Sequence, residues 1–452
     1  MNKLDKFKNE IKDKKVAVIG IGVSNIPLIE TLVKYGAIVT AKDKKEKLGD
    51  IQFKLEKINV KFDLGDKYLK GLNEFDYIFR SPGIKPFLPE IIEAKECGVI
   101  ITSEIEEVIN LSPCKVIGIT GSDGKTTTTT LIGKILEEAG YVTYVGGNIG
   151  TPIFSKLEDI KENDIIVLEL SSFQLMTLKT SPNISVITNI SPNHLDYHND
   201  YEEYILSKAN IFLKDGNEKL VLNKDDDMLD KFSCMYDKEI KMFSLESKIR
   251  NGAYLKDDKL WYNDTYICDR KDIKLVGIHN IANIIAAITT IFDLVKIEHI
   301  VKVITTFIGV SHRMEPINTD NGITWYNDSI ASSPTRTIAG LKAFDDKVIL
   351  IAGGYDKKIS YDPLGPYILD KVKTLILMGD TASKIKEATL KYDTNNIVKI
   401  VEVCNMKEAV DFARSIAVKG DKVVMSPASA SFDKYTNFEE RGKDFCNIVN
   451  SK

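Results

Sequence analysis

Val116-Ile117-Gly118-Ile119-Thr120-Gly121-Ser122-Asp123-Gly124-Lys125-Thr126-Thr127 is the stretch on which the reading of this chain turns. An apolar run of β type enters a glycine turn. The turn delivers Lys125 and the hydroxyl of Thr126, and a helix-compatible segment follows to about Gly140. That order is what a phosphate-binding loop requires. Glycines admit backbone N–H groups close to phosphate oxygens, and a helix N-terminus adds partial positive charge. Lys125 can reach the terminal phosphates and Thr126 can ligate Mg²⁺. The strict pattern G-x-x-x-x-G-K-[ST] is not met, because its first glycine falls at Ile119. The shorter T-G-x-x-G-K-T form stands in its place.

Outward from the loop, three blocks emerge, each opening on a buried-type strand. Lys15-Val16-Ala17-Val18-Ile19-Gly20-Ile21-Gly22 starts the first. A helical segment from about Pro27 to Tyr35 and the run Ala37 to Ala41, with Asp43 at its end, complete a βαβ start. Asn25 replaces the third glycine of the dinucleotide fingerprint, so that signal is only partial. Tyr77-Ile78-Phe79 then runs into Arg80-Ser81-Pro82-Gly83, a turn at a strand's carboxyl end, where ligands of open α/β sheets gather. The second block holds the loop and the strands Ile165 to Glu169 and Ser185 to Asn189. A polar, β-like region from Asp225 to Asp272 reads as a small accessory sheet, and a helix from about Asn280 to Phe292 closes the block. The third carries Lys347 to Gly354, Val372 to Gly379 and Lys422 to Pro427. Strands alternating with helices predict an α/β protein of three domains. A Rossmann-like N-terminal domain (1–103) precedes a central P-loop ATPase-type, mainly parallel sheet (104–309) and a Rossmann-like C-terminal domain (310–452).

Size and composition agree with that division. At 452 residues the chain exceeds one ordinary core. Hydrophobic residues at 43% and charged residues at 28% describe a soluble globular protein. A net charge of −4 offers no basic surplus for nucleic acid. Six cysteines without a C-x-x-C pair argue against a disulfide framework or structural zinc and fit a reducing cytoplasm. No apolar run reaches the length of a membrane span, and the N-terminus lacks a signal-peptide core.

The second block concentrates the chemistry. Glu169 ends an apolar strand at the sheet edge that carries the loop, where a carboxylate can hold Mg²⁺ directly or through water. The next strand delivers Asn189 to Tyr197, with His194 just past its end as a second metal ligand or substrate contact. Asn280 and Asn283 share a helix face at i, i+3. Two amides there can read an adenine edge, with helix capping by Asn280 as the competing reading. Lys208 reads, by itself, as one solvated lysine among many.

Together these residues resemble the Mur ligase family, ATP-dependent amide-forming enzymes of peptidoglycan assembly related to the folylpolyglutamate synthases. The likeness runs over essentially the whole chain. The T-G-x-x-G-K-T loop, Gly277-Ile278-His279-Asn280 with Asn283, His312-Arg313-Met314-Glu315 and Asn327-Asp328-Ser329 stand in the family's order. Glu169 to Leu175, Ser426 to Asp433 and Asn437 to Gly442 look like the motifs of members that add D-glutamate to UDP-N-acetylmuramoyl-L-alanine. The resemblance implies a cytoplasmic ligase working through an acyl phosphate, with ATP, D-glutamate and the UDP-sugar as partners and Mg²⁺ as cofactor. Gly121, Ser122, Asp123, Gly124, Lys125, Thr126, Thr127, Asn280, Asn283, Arg313 and Asp328 would bind ATP. Val23, Ser24, Asp43, Ser81 and Asn148 would contact the UDP-substrate, and Lys357, Ser431 and Phe438 the D-glutamate. Thr126, Glu169, His194 and Lys208 would surround the metal. Lys208 matches a lysine that the family carbamylates, which requires a neutral amine and hence a depressed pKa. Lys125, His194, Lys208 and Arg313 form the implied catalytic set.

Three departures qualify the likeness. Ile330 and Ser332 stand where related ligases often carry lysine and threonine, and Arg336 is a candidate substitute for the lost charge. Asp123 replaces an asparagine, adding negative charge near a triphosphate. Lys357 and Lys358 are adjacent, so either could meet glutamate. Another amide ligase of the same fold, one that extends folate or joins a different amino acid, a nucleotide-binding regulator and a dehydrogenase are rival readings. The nucleotide-type first block disfavours the first, convergent motifs in all three blocks the second, and Asn25 the third.

Overall fold

The computed structural model describes residues 2–22, 25–192, 197–275, 277–357 and 359–451. The chain divides into two compact units, Met1–Phe307 and Ile308–Lys452.

The first unit contains two parallel sheets. β1 (Lys15–Ile19), β2 (Ile38–Asp43), β3 (Lys61–Leu64), β4 (Tyr77–Arg80) and β5 (Ile100–Thr102) form one, in the order β3-β2-β1-β4-β5. That is the half-Rossmann arrangement expected of the βαβ start. β6 (Lys115–Thr120), β7 (Thr143–Gly147), β8 (Ile165–Glu169), β9 (Ile184–Ile187), β10 (Lys219–Asn223) and β11 (Glu239–Phe243) form the second, in the order β11-β10-β9-β6-β8-β7. β8 and β9 are buried along their whole length, as strands covered on both faces must be, which is why they read as unbroken apolar runs. The two sheets share an apolar cluster. Phe154 stands at its centre, against the rings of Phe7, Tyr35 and Phe79. Buried Glu104, on the segment between the two sheets, accepts the Ile153 and Phe154 N–H groups there, so these backbone donors of the shared cluster are satisfied.

The polar region after Asp225 resolves into more than an accessory sheet. Asp227–Ser233 is a helix, and β11 joins the main sheet as its edge. β12 (Ala253–Lys256), β13 (Lys259–Tyr262) and β14 (Thr265–Asp269) make the small antiparallel sheet. It docks on the Ile278–Ile291 helix, where Tyr262 stacks on Phe292 at 3.7 Å. Lys3–Ile11 and Ile297–Thr306 are among the helices that escape the sequence reading. Their lysine-flanked ends hide short amphipathic stripes that bury Leu4, Phe7 and Ile11 in one and Ile300, Val303 and Ile304 in the other.

In the second unit β15 (Glu315–Asp320), β16 (Ile323–Asn327), β17 (Val348–Ala352), β18 (Val372–Leu377), β19 (Lys399–Glu402) and β20 (Lys422–Met425) form one sheet in the order β15-β16-β20-β17-β18-β19. All neighbours are parallel except the β15–β16 hairpin. The carboxyl ends of β16, β20 and β17 therefore lie side by side.

Candidate active site

Register places the phosphate loop. β6 lies between β8 and β9, with Ile119 opposite Glu169 and Thr120 opposite Ile187. The loop thus leaves the sheet with Glu169 on one flank and Thr188-Asn189 on the other. Gly121 has φ +148° and a Cβ there would lie 1.9 Å from Thr188 Oγ1. Gly124 has φ +80° and its Cβ would lie 2.1 Å from Asn283 Oδ1. Both glycines are thus demanded by close approach as well as by backbone conformation. Asn283 and Asn280 are joined by a 3.1 Å bond between their amides, and Gly277 holds the helix N-cap. Capping by Asn280 is therefore displaced, and the amide pair stands beside the loop. Asp123 is held by its backbone, with its N–H on Asn189 Oδ1 at 2.9 Å, and its carboxylate is exposed.

The helix after the loop, Lys125–Glu138, contains five consecutive threonines, poor helix formers by χ1 stiffness. Burial of Thr126, Thr127, Thr128 and Thr129 against the sheet overrides that preference. Lys125 folds back over the loop and donates to the Gly121 and Ser122 carbonyls at 2.8 Å each.

Lys208 departs most from its sequence reading. It is 2% exposed, on the Tyr201–Ala209 helix, and its ammonium donates to the same Gly121 carbonyl at 2.8 Å and to Thr120 Oγ1 at 3.4 Å. Burial lowers its pKa well below the ordinary lysine value, and the Lys125 charge pushes the same way against Asp123. One turn earlier, Tyr204 lays its ring 4.8 Å from the Lys208 ammonium and shares a 2.8 Å bond with Ser122 Oγ. Sequence reasoning missed Tyr204; its i, i+4 spacing to Lys208 was the available signal. It also missed His198, which is buried, bonds Ser172 Oγ through Nε2 at 2.9 Å and stacks on Phe173.

Glu169 and Asn148 meet directly: the Asn148 amide donates to Glu169 Oε1 at 2.8 Å. Glu169 Oε2 is buried and accepts no hydrogen bond among the described residues. A buried carboxylate oxygen without a donor is costly unless a cation or water meets it. Mg²⁺ usually takes one or two carboxylates and completes its shell with water and substrate phosphates. Glu169 with the Thr126 hydroxyl fits that pattern, and among the described residues no group of three or more His, Cys, Asp or Glu side chains supplies an all-protein cage. His194, like Val23, Ser24 and Lys358, lies outside the described residues.

At the edge of the first sheet, Asp43 accepts the Ile21 N–H at 2.7 Å and the Lys45 N–H at 2.9 Å, which ties it to the glycine turn. Asn25 donates to the Gly20 carbonyl at 2.6 Å, so the residue that breaks the glycine fingerprint braces the same turn. Ser81 sits against Gly20, whose Cβ would lie 2.8 Å from that of Ser81. Arg80 is buried and donates to Thr177 Oγ1 at 3.0 Å, linking this turn to the Ser172–Leu175 helix region of the second sheet.

In the second unit Asp328 follows β16 and is buried, accepting from Ser426 Oγ at 2.6 Å and the Met314 N–H at 3.2 Å. Burial pushes its pKa up to about 6, against those bonds and the charges of Arg313 and Arg336. His312, at φ +63°, accepts at Nδ1 from the Asn327 amide at 2.8 Å and is close-packed on Gly442. Ser431 is buried, and the Phe438 carbonyl accepts from Ser329 Oγ at 2.8 Å. Lys357 reaches the Ser332 carbonyl at 3.4 Å. Arg441, to which sequence assigned no role, is buried and spends its guanidinium on the Ser329, Ser429 and Ala430 carbonyls and on Ser329 Oγ.

Residues 14–103 match the Mur ligase MurD-like N-terminal domain, 119–291 the Mur ligase middle domain, and 312–429 the Mur ligase glutamate ligase domain. The UDP-N-acetylmuramoylalanine–D-glutamate ligase of Clostridium botulinum (type Ba4) is 55% identical over 99% of this chain and 98% of its own length. The enzyme of the same name from Clostridium kluyveri is 50% identical over the same shares. Among solved structures, the UDP-N-acetylmuramate-alanine ligase of Thermotoga maritima superposes with a TM-score of 0.59 at 17% identity, over 97% of this chain and 99% of that one. At that identity the likeness speaks for the fold alone.

Proposed function

Because this chain belongs to the Mur ligase family, we propose that it joins D-glutamate to UDP-N-acetylmuramoyl-L-alanine, converting ATP to ADP and phosphate, in the cytoplasmic assembly of peptidoglycan precursors. The observation that carries the reading is the convergence of Lys125 and Lys208 on one loop carbonyl, at the sheet edge where Glu169 presents an unpaired buried oxygen. That edge suits a polyphosphate and a divalent cation.

A carboxylate does not condense with an amine unaided, because its leaving group is poor. The L-alanine carboxylate would attack the γ-phosphorus of ATP, giving an acyl phosphate and ADP. The amine of D-glutamate would then attack the acyl carbon, and phosphate would leave with the former carboxylate oxygen. Two anions must approach in the first step. Lys125 would neutralise the terminal phosphates, the loop N–H groups would cradle them, and Arg313 would add positive charge. Thr126, Glu169 and His194 would hold Mg²⁺, which supplies further neutralisation of the phosphate oxygens. A carbamate on Lys208 would turn a buried cation into an anion at the metal's flank, and the depressed pKa of its amine favours that reaction. Asn280 and Asn283 would face adenine, and Asp328 would accept from the ribose. Val23, Ser24, Asp43 and Ser81 would bind the UDP moiety, and Asn148 the muramoyl-alanine end while orienting Glu169. Lys357, Ser431 and Phe438 would line the D-glutamate site. The functional domains of this scheme are 1–103, 104–309 and 310–452. No helix among the described residues is long and apolar enough to cross a membrane.

Phosphate release measured with the UDP-sugar, D-glutamate and ATP, and with each omitted in turn, tests the proposal. Release only with all three supports it. Release independent of D-glutamate, or with another amino acid in preference, refutes it.

A further inference from the structure

Arg313 stands between two residues in the left-handed region: His312 has φ +63° and Met314 has φ +43°. Left-handed backbone is uncommon outside glycine, and it persists on both sides of one residue only where the surroundings over-determine it. A carboxylate does so here. Glu315 opens β15 directly opposite Asn327, the last residue of β16. Its Oε2 accepts the His312 N–H at 2.8 Å and the Asn327 amide at 3.2 Å. The Asn327 amide is oriented by the Ser329 N–H, which bonds its Oδ1 at 3.1 Å, and it donates to His312 Nδ1 at 2.8 Å. Glu315 and Asn327 therefore grip His312 by its backbone and by its ring. The ring has Gly442 at its back, where a Cβ would fall 2.2 Å from Nδ1. The rest of the turn is tied as well. The Arg313 N–H bonds the Val310 carbonyl at 3.1 Å, the Met314 N–H bonds Asp328 Oδ1 at 3.2 Å, and the His312 carbonyl accepts the Ile330 N–H at 3.0 Å.

We propose that Glu315 is a positioning residue for Arg313: its carboxylate holds the left-handed turn that presents the guanidinium to the phosphoryl group in transfer. The inference rests on the reading of Arg313 as a γ-phosphate cation. A long side chain reaches its target reproducibly only when its own backbone is fixed, and a displacement of about 1 Å can cost on the order of a hundredfold in rate. Asp328, which also ties the turn, is assigned to the nucleotide ribose, and the Val310 and Ile330 bonds are backbone to backbone. Glu315 meets no substrate in that reading, and its carboxylate is spent on the turn itself. Its bonds are charge-assisted and so stronger than neutral ones. Without them the residue before Arg313 loses its acceptor, and the turn relaxes toward the right-handed φ that L-residues prefer, carrying the guanidinium with it.

The experiment is a double-mutant cycle in the full chain, with Glu315→Ala and Arg313→Ala made singly and together. The kcat is read from product mass at saturating ATP, D-glutamate and UDP-sugar. In the wild-type background Glu315→Ala should lower kcat on the order of tenfold to a hundredfold, with the KM for D-glutamate within about threefold. In the Arg313→Ala background the same change should cost less than about threefold, because the residue it positions is gone. Glu315→Gln, whose Oε1 can still accept both N–H groups, should recover most of the rate. A loss equally large in both backgrounds, or a Glu315→Ala protein with wild-type kcat, overturns the inference. Glu315→Asp keeps the charge and shortens the reach by one methylene, and the same cycle run with it decides the matter if the alanine variant does not fold. Arg313→Ala with wild-type turnover refutes instead the role of Arg313 on which the inference rests.

Discussion

Lys125 and Lys208 aim their ammonium groups at one acceptor, the carbonyl oxygen of Gly121, each at 2.8 Å. Two cations on a single carbonyl are electrostatically unfavourable, and one of them is almost fully buried. A phosphate that drew Lys125 outward, or loss of the Lys208 charge, would relieve the arrangement. Lys208 carbamylation follows as an expectation. Protein equilibrated with ¹³C-bicarbonate should give a carbamate carbonyl NMR signal that Lys208→Ala abolishes. A wild-type spectrum identical to that of the variant would remove the carbamate from the scheme. Lys125→Ala should lower turnover on the order of 10²–10³-fold, as loss of a transition-state charge does.

Asn148 is the partner that orients Glu169. Asn148→Ala removes the donor from Glu169 Oε1. The Mg²⁺ concentration for half-maximal activity should rise roughly 10–100-fold, the usual effect of removing a residue that orients a metal ligand. A titration with MgCl₂ at saturating ATP reads this directly. An unchanged Mg²⁺ requirement with a raised KM for the UDP-sugar would assign Asn148 to the substrate alone.

Much of this was legible in the chain. The half-Rossmann start, the loop, Glu169 and the strand end carrying Ser426 could be read because parallel strands are unbroken apolar runs that stop at polar residues, whereas Asp328, after the half-buried strand Ile323–Asn327, came only from the family resemblance. Lys208 could not be read from spacing, because burial depends on how the Tyr201–Ala209 helix packs over the loop. Asn25 looked like a broken fingerprint and is a brace, since a side-chain amide satisfies the Gly20 carbonyl where a glycine would only have left space. The contacts of Arg441 and His198 are invisible to pattern reading for the same reason: their partners Ser329 and Ser172 are distant in sequence.

Gly121→Ala should disable the loop without touching a catalytic side chain. Its φ of +148° strains any L-residue, and the added carbon would fall 1.9 Å from Thr188 Oγ1. Strain and overpacking, about 1–3 kcal/mol each, add to about 2–6 kcal/mol. Thermal unfolding should show that loss, together with severe loss of ATP-dependent turnover. Wild-type stability and activity would show that the loop is not held as described.

Asp328 gives a pH signature. Its folded pKa of about 6 lies above the unfolded value of about 3.9, so the proton is held more tightly in the folded state. The stabilisation is fully present below about pH 4 and is lost as pH rises through about 6. Asp328→Asn should therefore gain stability relative to wild type as pH rises from about 4 to 7, read as the difference in melting temperature across that window. The same variant should weaken ATP roughly 10–100-fold at pH 8, the loss of a hydrogen bond to a charged acceptor. Parallel melting curves for the two proteins across the pH range would contradict the buried-carboxylate assignment.

The most direct test follows the oxygen. The UDP-sugar is labelled with ¹⁸O in its L-alanine carboxylate and incubated with ATP, D-glutamate and the wild-type protein. Inorganic phosphate carrying one ¹⁸O, formed together with a product heavier by one glutamyl residue, is the expected result. Unlabelled phosphate, or phosphate formed without that product, would contradict activation of the acid by phosphoryl transfer.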